Sequence, residues 1–202
     1  MCPGGIIVPS ATEDGQVVVN GMSKSQRNSP FSNSGIVVSI ESDDIQHLKK
    51  YGVFAGLEFQ RQTEEKCWHA ANRSLKAPAQ RLADFVEGSA SSTLPVSSYH
   101  PGVTPATLHE LLPPSVAGRL REGFRLFDHQ MKGFITNEAI ILGTESRTSS
   151  PIRIPRDEHS LEHVQVADLY PCGEGAGYAG GIISSAIDGV RCATVIAQNH
   201  SG

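Results

Sequence analysis

A cluster of glycines near the end of the chain limits what this sequence can fold into more than any other feature. The chain has 20 glycines in 202 residues, and six of them lie between Gly173 and Gly189, within "YPCGEGAGYAGGIISSAIDGVRCATVIA". A glycine in a helix interior costs about 1 kcal/mol relative to alanine, so such a cluster does little for stability. It indicates a place where another group must approach the backbone closely.

A short apolar run precedes the glycines and a helical pattern follows them. Residues 169–172 predict a buried strand, and apolar residues at helical spacing predict a helix from about Gly181 to Ala197. A turn that opens a helix presents unpaired N–H groups and a partial positive charge, which favour an anion or a carbonyl oxygen. The alternative is close packing of strand and helix without a ligand, and the residues alone favour neither.

Three of the glycines fit the dinucleotide-binding pattern G-x-G-x-x-G, namely Gly175, Gly177 and Gly180. That pattern needs a complete βαβ unit and an acidic residue about 20 positions further on. Here no parallel strand follows the helix within the sequence. We therefore expect a turn that completes a cofactor pocket built mostly from other parts of a protein.

The rest of the chain predicts a mixture of strands and helices, an α/β or α+β protein. Long irregular connections are expected at 88–105 and in the polar run "DEHSLEHVQV". The predicted strands are 4–10, 15–21, 35–40 and an extended pair within 138–154, and the predicted helices are 57–75, 80–86 ending at Gly88, and 115–133.

Composition excludes several classes of protein. The net charge of −4 provides no basic surface for nucleic acid, and no apolar stretch approaches the roughly 20 residues of a membrane span. The sequence shows no export signal, and its four cysteines are widely spaced without a C-x-x-C pair. We expect a cytoplasmic protein with reduced thiols that binds neither nucleic acid nor membrane.

Two further patterns suggest sites, and each has a simpler explanation. His159 and His163 are four residues apart, but "DEHSLEH" differs from H-E-x-x-H, so a solvated turn is favoured and no metal site is predicted. In "ESRTSS" an extended strand would place Glu145, Arg147 and Ser149 on one face. From the residues alone, an ion pair facing solvent explains this face better than a ligand site.

Long motifs resemble a known family. "TESRTSSPIRIPRDE" at 144–158, followed by "LYPCGEGAGYAGGIISSAIDG", resembles the C-terminal signature of a family of FAD-dependent oxidoreductases, many of them dehydrogenases. Further segments are similar to the same family: "MCPGG", "VNGMSKSQRNSPFSNSGIVVSI", "AGLEFQRQTE", "LPVSSYHPGV" and "LHELLP". The resemblance covers nearly the whole chain.

The resemblance implies the C-terminal part of a two-domain flavoprotein fold. Family members are about twice this length or more and begin with a Rossmann unit that holds the FAD pyrophosphate. Residues 1–40 would be strands leading out of the flavin domain, 41–135 a substrate or cap domain, and 136–202 the returning segment of the FAD-binding domain. The gene would be truncated, the chain cut, or the other half supplied by a separate Rossmann-containing polypeptide.

The resemblance also implies functional residues. Gly173 and Glu174 match a turn expected to face the ribityl and phosphate end of FAD, and the N–H groups of Gly180, Gly181 and Ile182 are expected to face the flavin pyrimidine oxygen. A helix N-terminus there would stabilise the negative charge of a reduced flavin. The implied cofactor-binding set is Gly173, Glu174, Gly175, Gly177, Gly180, Gly181 and Ile182.

Substrate and catalytic candidates complete the set. With the resemblance, Arg147, together with Thr148 and Ser149, is the candidate for an anionic substrate or for the flavin charge. The catalytic candidates are Arg147 and Cys2, a thiol that would lie near the flavin, although a turn beginning at Pro3 is the commoner explanation for "MCPGG". The implied function is to close the flavin pocket and supply the substrate domain for an unknown small molecule, the isolated chain being inactive. Two alternatives stay open: a non-catalytic module that docks onto a partner, and a hydrolase or phosphate-binding enzyme complete in itself, although no G-x-S-x-G motif is present.

Overall fold

The computed structural model describes residues 2–11 and 13–199, and only the backbone of Cys2 and Pro3. Helices and strands are mixed, which confirms the predicted fold class. The chain divides into two compact units, one of Met1–His47 with Phe59–Ser146 and the other of Leu48–Glu58 with Arg147–Gly202. The domain boundaries predicted at 40 and 135 stay a prediction.

The first unit opens with short antiparallel strands. Strand β1 (Cys2–Pro3) pairs with β4 (Ser32–Asn33), and β2 (Gly5–Pro9) pairs with β3 (Val19–Ser23). The predicted strand pair is therefore present, with its second strand four residues later than expected. Val17 and Val18 precede that strand and are each 2% exposed, so both side chains lie in the interior.

The strand predicted at 35–40 is wrong. Residues 35–40 are irregular, and Val37 is 52% exposed. The Ser39 carbonyl accepts a hydrogen bond from the Arg119 guanidinium at 2.8 Å, so a side chain rather than a strand occupies this backbone group. An apolar run without a partner strand has no ladder to join.

A three-stranded sheet forms the middle of the first unit. Its central strand β5 (Ala77–Arg81) runs parallel to β6 (Val103–Pro105) and antiparallel to β7 (Ile140–Leu142). Helix α2 (Leu82–Glu87) follows β5 directly and ends at Gly88, whose φ of 79° is left-handed, as predicted.

Two of the remaining helices, both long, match predicted ones, whereas a 3₁₀ segment and a short helix were not predicted. A 3₁₀ segment (Gln46–Phe54) leads into α1 (Ala55–Ala70), which ends before residue 75 because Asn72 and Arg73 adopt positive φ angles. Helices α3 (Leu108–Leu111) and α4 (Pro114–Gln130) come next. The core around α2 and α4 consists of Leu82, Phe85, Val86, Leu108, Ala117 and Phe124. A second buried cluster consists of Val17, Val19, Cys67, Ala77 and Tyr99.

The second unit ends in the long helix α5 (Ile182–Asn199), close to the predicted 181–197. Residues 147–181 of this unit are turns and irregular segments, with one isolated bridge between Arg156 and His163. The strand predicted at 169–172 is wrong: Leu169 is 43% exposed, and the Pro171 carbonyl accepts a hydrogen bond from Arg156 instead of a strand. Proline also lacks the N–H that a strand ladder needs.

Candidate functional site

The glycine cluster forms a compact turn in front of α5. Gly173 has a left-handed φ of 71°, and its carbonyl accepts a hydrogen bond from the Tyr178 N–H at 3.1 Å. Within this loop the Gly177 N–H donates to the Glu174 carbonyl at 2.9 Å. The turn therefore closes through its own backbone, and the Glu174 side chain is exposed.

Gly177 is explained by packing. Its φ is 82°, and a Cβ atom there would lie 2.7 Å from the Ile152 carbonyl oxygen. The neighbouring segment crosses at this point, where the Ile154 N–H donates to the Ala176 carbonyl at 3.1 Å. Gly175 is different, because it is exposed and a Cβ atom there would meet nothing within 4 Å. Packing within the chain therefore requires a glycine at 177 but not at 175.

The entrance of α5 presents donors that the described chain leaves unused. The Gly181 N–H donates to the Ser184 hydroxyl at 3.1 Å, and the Gly181 carbonyl accepts from the Ser185 N–H at 2.9 Å. The N–H groups of Gly180, Ile182 and Ile183 have no acceptor within residues 2–11 and 13–199. Since a helix N-terminus also carries a partial positive charge, this entrance can bind an anion or a carbonyl oxygen.

The structure brings part of the substrate candidate set to this entrance. A Cβ atom on Gly180 would lie 3.3 Å from the Thr148 carbonyl oxygen and 3.7 Å from the Ser149 Cβ. Thr148 and Ser149 are both exposed, and Arg147 is half-buried. The Cys2 side chain lies outside the described part of the chain, so its relation to the turn is not defined.

The predicted strand through "ESRTSS" is wrong. After β7 the Gly143 N–H still bonds the Pro78 carbonyl at 2.9 Å, but the Thr144 carbonyl then accepts from the Val19 N–H, also at 2.9 Å. The chain has therefore left the sheet before residue 145, and strand alternation does not determine which side chains share a face. Burial raises the pKa of the Glu145 carboxyl.

A buried ion pair holds the first residue of the turn, and the sequence did not predict it. The Arg156 and Asp188 side chains are 6% and 12% exposed and meet through two hydrogen bonds, of 2.7 and 3.0 Å. Arg156 also donates to the Pro171 carbonyl at 2.7 Å, and Asp188 accepts from the Gly173 N–H at 2.9 Å. The pair thus joins α5 to the first residue of the turn.

Both charges of the pair are stabilised in their ionised forms. The hydrogen bond with Arg156 is the main cause that lowers the pKa of Asp188, and the hydrogen bond with Asp188 is the main cause that raises the pKa of Arg156. In both cases burial opposes the shift. A signal existed in the sequence: Asp188 is the only acidic residue from 175 to 199 and lies in a helix with many aliphatic residues.

Tyr178 covers the other side of Arg156. The Arg156 guanidinium lies 3.7 Å from the centre of the Tyr178 ring, whose hydroxyl donates to the Ile154 carbonyl at 2.9 Å. A cation over an aromatic ring is a favourable arrangement, worth more when desolvated. The cleft beside this stack has a volume of about 420 Å³ and is lined by Arg156, Glu158, His159, Leu161, Tyr178 and Arg191.

His159 lies on a turn, as the sequence favoured, but the partly buried His163 forms the isolated bridge with Arg156. The His163 Nδ1 accepts hydrogen bonds from the N–H groups of Gln165 and Val166 at 3.0 and 3.1 Å. In the described part of the chain, no three His, Cys, Asp or Glu side chains are grouped so that they could hold a metal ion. None of the helices in that same part combines the length and apolar character needed to cross a membrane.

Comparison with known proteins identifies the family. Residues 1–148 match the family "FAD-dependent protein, C-terminal domain-like", and the chain belongs to that family. The match ends close to the boundary between the units, after Ser146. The predicted resemblance is thereby confirmed.

One relative extends the similarity beyond residue 148. An uncharacterized protein of Clostridium beijerinckii is 42% identical over 200 residues, which are 98% of this chain and 37% of that protein. The alignment therefore includes the glycine turn and α5. The chain spans little more than a third of the length of this relative.

Proposed function

We propose that this chain is the C-terminal part of an FAD-dependent oxidoreductase and that residues 173–182 close its flavin pocket. The segment from Arg147 onward would belong to the FAD-binding domain, as the sequence suggested for 136–202, and 41–135 would supply the substrate domain. A larger FAD-binding portion, on the same polypeptide or a separate one, would complete the site. Membership of a family of FAD-dependent proteins supports the choice of cofactor.

The observation that carries the proposal is the state of the α5 entrance. The N–H groups of Gly180 and Ile182 have no acceptor within the described residues, and the Ile182 side chain is 90% exposed. A flavin needs both kinds of contact, because its pyrimidine edge carries carbonyl oxygens and its ring system is apolar. When reduced, a flavin also carries negative charge near N1, which a helix N-terminus stabilises.

FAD, when bound, would supply the hydride chemistry, and this chain would orient it. The exposed Gly175 and Gly181 would allow the backbone to approach the cofactor closely, and the Glu174 carboxylate would face its ribityl end. Thr148 and Ser149, beside Gly180, would contact the substrate or the flavin edge, with Arg147 as the candidate for an anionic substrate group. The Arg156–Asp188 pair would hold the turn in place without touching the cofactor.

The apolar face of α5 supports a covering partner. Ile182, Ile183, Ile187 and Val190 lie on one side of the helix and are 90%, 72%, 64% and 67% exposed. Burying one such side chain contributes about 1.5–3 kcal/mol, so a partner that covers all four would gain considerable binding free energy. We assign this face to the remaining FAD-binding portion, since the C. beijerinckii relative is far longer than this chain.

The experiment is a chimera in which this chain replaces its aligned segment in the C. beijerinckii protein. We expect the chimera to retain flavin, visible in its absorbance, whereas the isolated chain holds none in stoichiometric amount. Gly181→Val should abolish retention, because a side chain at this exposed position obstructs the cofactor. Within the described part of the chain a Cβ atom on residue 181 would meet only the adaptable Ser184 hydroxyl, at 3.4 Å.

Gly189→Val, on the same helix, is the matched control. A Cβ atom at residue 189 would meet none of the described residues within 4 Å. It should retain flavin as the parent chimera does. Equal retention in Gly181→Val and Gly189→Val would contradict the proposed contact. Stoichiometric flavin in the isolated chain would contradict the need for a further FAD-binding portion.

A further inference from the structure

Two cysteines that are far apart in sequence lie together beneath the turn. Cys172 is exposed, and Cys192 is 3% exposed on α5. The surrounding contacts bring the two residues together. Asp188 lies one helical turn before Cys192 on the same face, and it holds the N–H of Gly173, the residue after Cys172, at 2.9 Å.

Arg156 fixes the second side of this pair. One of its nitrogens, Nη1, donates to the Pro171 carbonyl at 2.7 Å and lies 3.4 Å from the Cys192 sulfur. The same side chain thus contacts Cys192 directly and the residue before Cys172. Arg156 is itself paired with Asp188. The buried ion pair therefore holds the backbone on both sides of Cys172 and contacts the sulfur of Cys192.

The electrostatic surroundings of Cys192 combine opposing effects. Burial raises the pKa of this thiol, the Arg156 charge acts against that increase, and Asp188 and Cys172 add to it. A raised pKa disfavours the thiolate form, so Cys192 is not the thiol expected to react first. Cys67 offers a contrast in the first unit, because it is fully buried and burial raises its pKa to about 12.

We propose that Cys172 and Cys192 are a redox-active pair that closes reversibly to an intramolecular disulfide, with a hydroperoxide as the oxidant. The exposed Cys172 reacts first, because the thiol that meets the oxidant must be accessible. This inference rests on the thiols and their frame alone and is independent of the flavin assignment.

The chemistry balances in two steps. The Cys172 thiolate attacks one peroxide oxygen, the O–O bond breaks, and hydroxide leaves to become water, which gives a sulfenic acid. The Cys192 thiol then attacks the Cys172 sulfur, the S–O bond breaks, and a second water leaves as the disulfide forms. Overall two thiols lose two electrons and two protons, and one hydrogen peroxide becomes two waters. Arg156 stabilises the Cys192 thiolate during the second step.

The sequence allows a direct test. Trypsin cleaves after Arg156 and Arg191, so Cys172 and Cys192 fall in separate peptides, 157–191 and 192–202. The purified chain is treated with stoichiometric hydrogen peroxide, free thiols are blocked, and the digest is analysed by mass spectrometry. We expect the two peptides joined, lighter by two hydrogens than their sum, and separated again by dithiothreitol.

Variants identify the order of events. Cys192→Ser should leave a sulfenic acid on Cys172 that dimedone traps, and Cys172→Ser should leave Cys192 unmodified. Cys67→Ala is the matched control and should form the link as the parent chain does, with helix content checked by circular dichroism for all three. Peptides that stay separate, or a link from Cys172 to Cys2 or to a second chain, would overturn the proposal.

Discussion

Two helices of nearly equal length behave in opposite ways. Helix α4 has 17 residues, and its apolar side chains at Val116, Ala117 and Phe124 are buried within its own unit. Helix α5 has 18 residues, but four of its aliphatic side chains are 64–90% exposed while its one acidic residue, Asp188, is mostly buried. Both sequences show an ordinary helical period. The comparison teaches that the period locates an apolar face and says nothing about what covers it.

The largest effect should come from α4. Phe124→Ala removes a ring that is 4% exposed and contacts three other aromatic rings, so we expect the free energy of unfolding to fall by about 3–5 kcal/mol. Urea denaturation followed by fluorescence of Trp68, the single tryptophan, measures this change. Leu126→Ala on the same helix is the control, because Leu126 is 63% exposed and should cost less than about 0.5 kcal/mol. Similar losses in both variants would show that α4 does not bury its apolar face as described.

The next effect should come from the ion pair beneath α5. Asp188→Asn removes the charge facing Arg156 and should destabilise α5 by about 2–3 kcal/mol, less than full loss of a buried partner, because the amide still accepts a hydrogen bond. Hydrogen exchange of the α5 amides, corrected for intrinsic rates, measures the change.

This effect should depend on pH in one direction. The pKa of Asp188 is lower in the folded chain than its ordinary 3.8, so the stabilisation is present above 3.8 and is lost as the pH falls through the folded pKa. Wild type and Asp188→Asn should therefore differ at neutral pH and converge in acid. A difference that persists unchanged in acid would contradict a charge-based role.

A smaller effect should come from the turn itself. Gly177→Ala must place a Cβ atom 2.7 Å from the Ile152 carbonyl at a positive φ, which should cost about 1–3 kcal/mol. Gly175→Ala is the matched control, with open space around its Cβ position. Exchange of the α5 amides should increase in the first variant only. Equal behaviour of the two would mean that residues 152–153 do not pack against this turn.

The smallest effect should come from the exposed face of α5. Ile187→Ser changes a side chain that is 64% exposed, so the free energy of unfolding should change by less than about 0.5 kcal/mol in urea denaturation. In the chimera with the C. beijerinckii protein, where we propose that this face is covered, the same change should cost about 1 kcal/mol or more. A large cost in the isolated chain would show that something already covers Ile187 in solution.

The sequence predicted the elements that depend on local pattern. Helices α4 and α5 were located within a few residues, because their apolar spacing and the flanking proline and glycines act locally. The strands at 35–40 and 169–172 were wrong, because the Ser39 and Pro171 carbonyls are bonded by arginines distant in sequence. The Arg156–Asp188 pair joins residues 32 positions apart, and no local pattern indicates which charges will meet.

The most direct test of the flavin assignment is amide exchange at the α5 entrance, resolved to single residues. In the isolated chain the N–H groups of Gly180 and Ile182 should exchange rapidly, since they have no acceptor within the described residues. In the flavin-loaded chimera they should become protected, and they should lose that protection when the flavin is removed. Exchange that is equally rapid with and without bound flavin would contradict the claim that these groups face the cofactor.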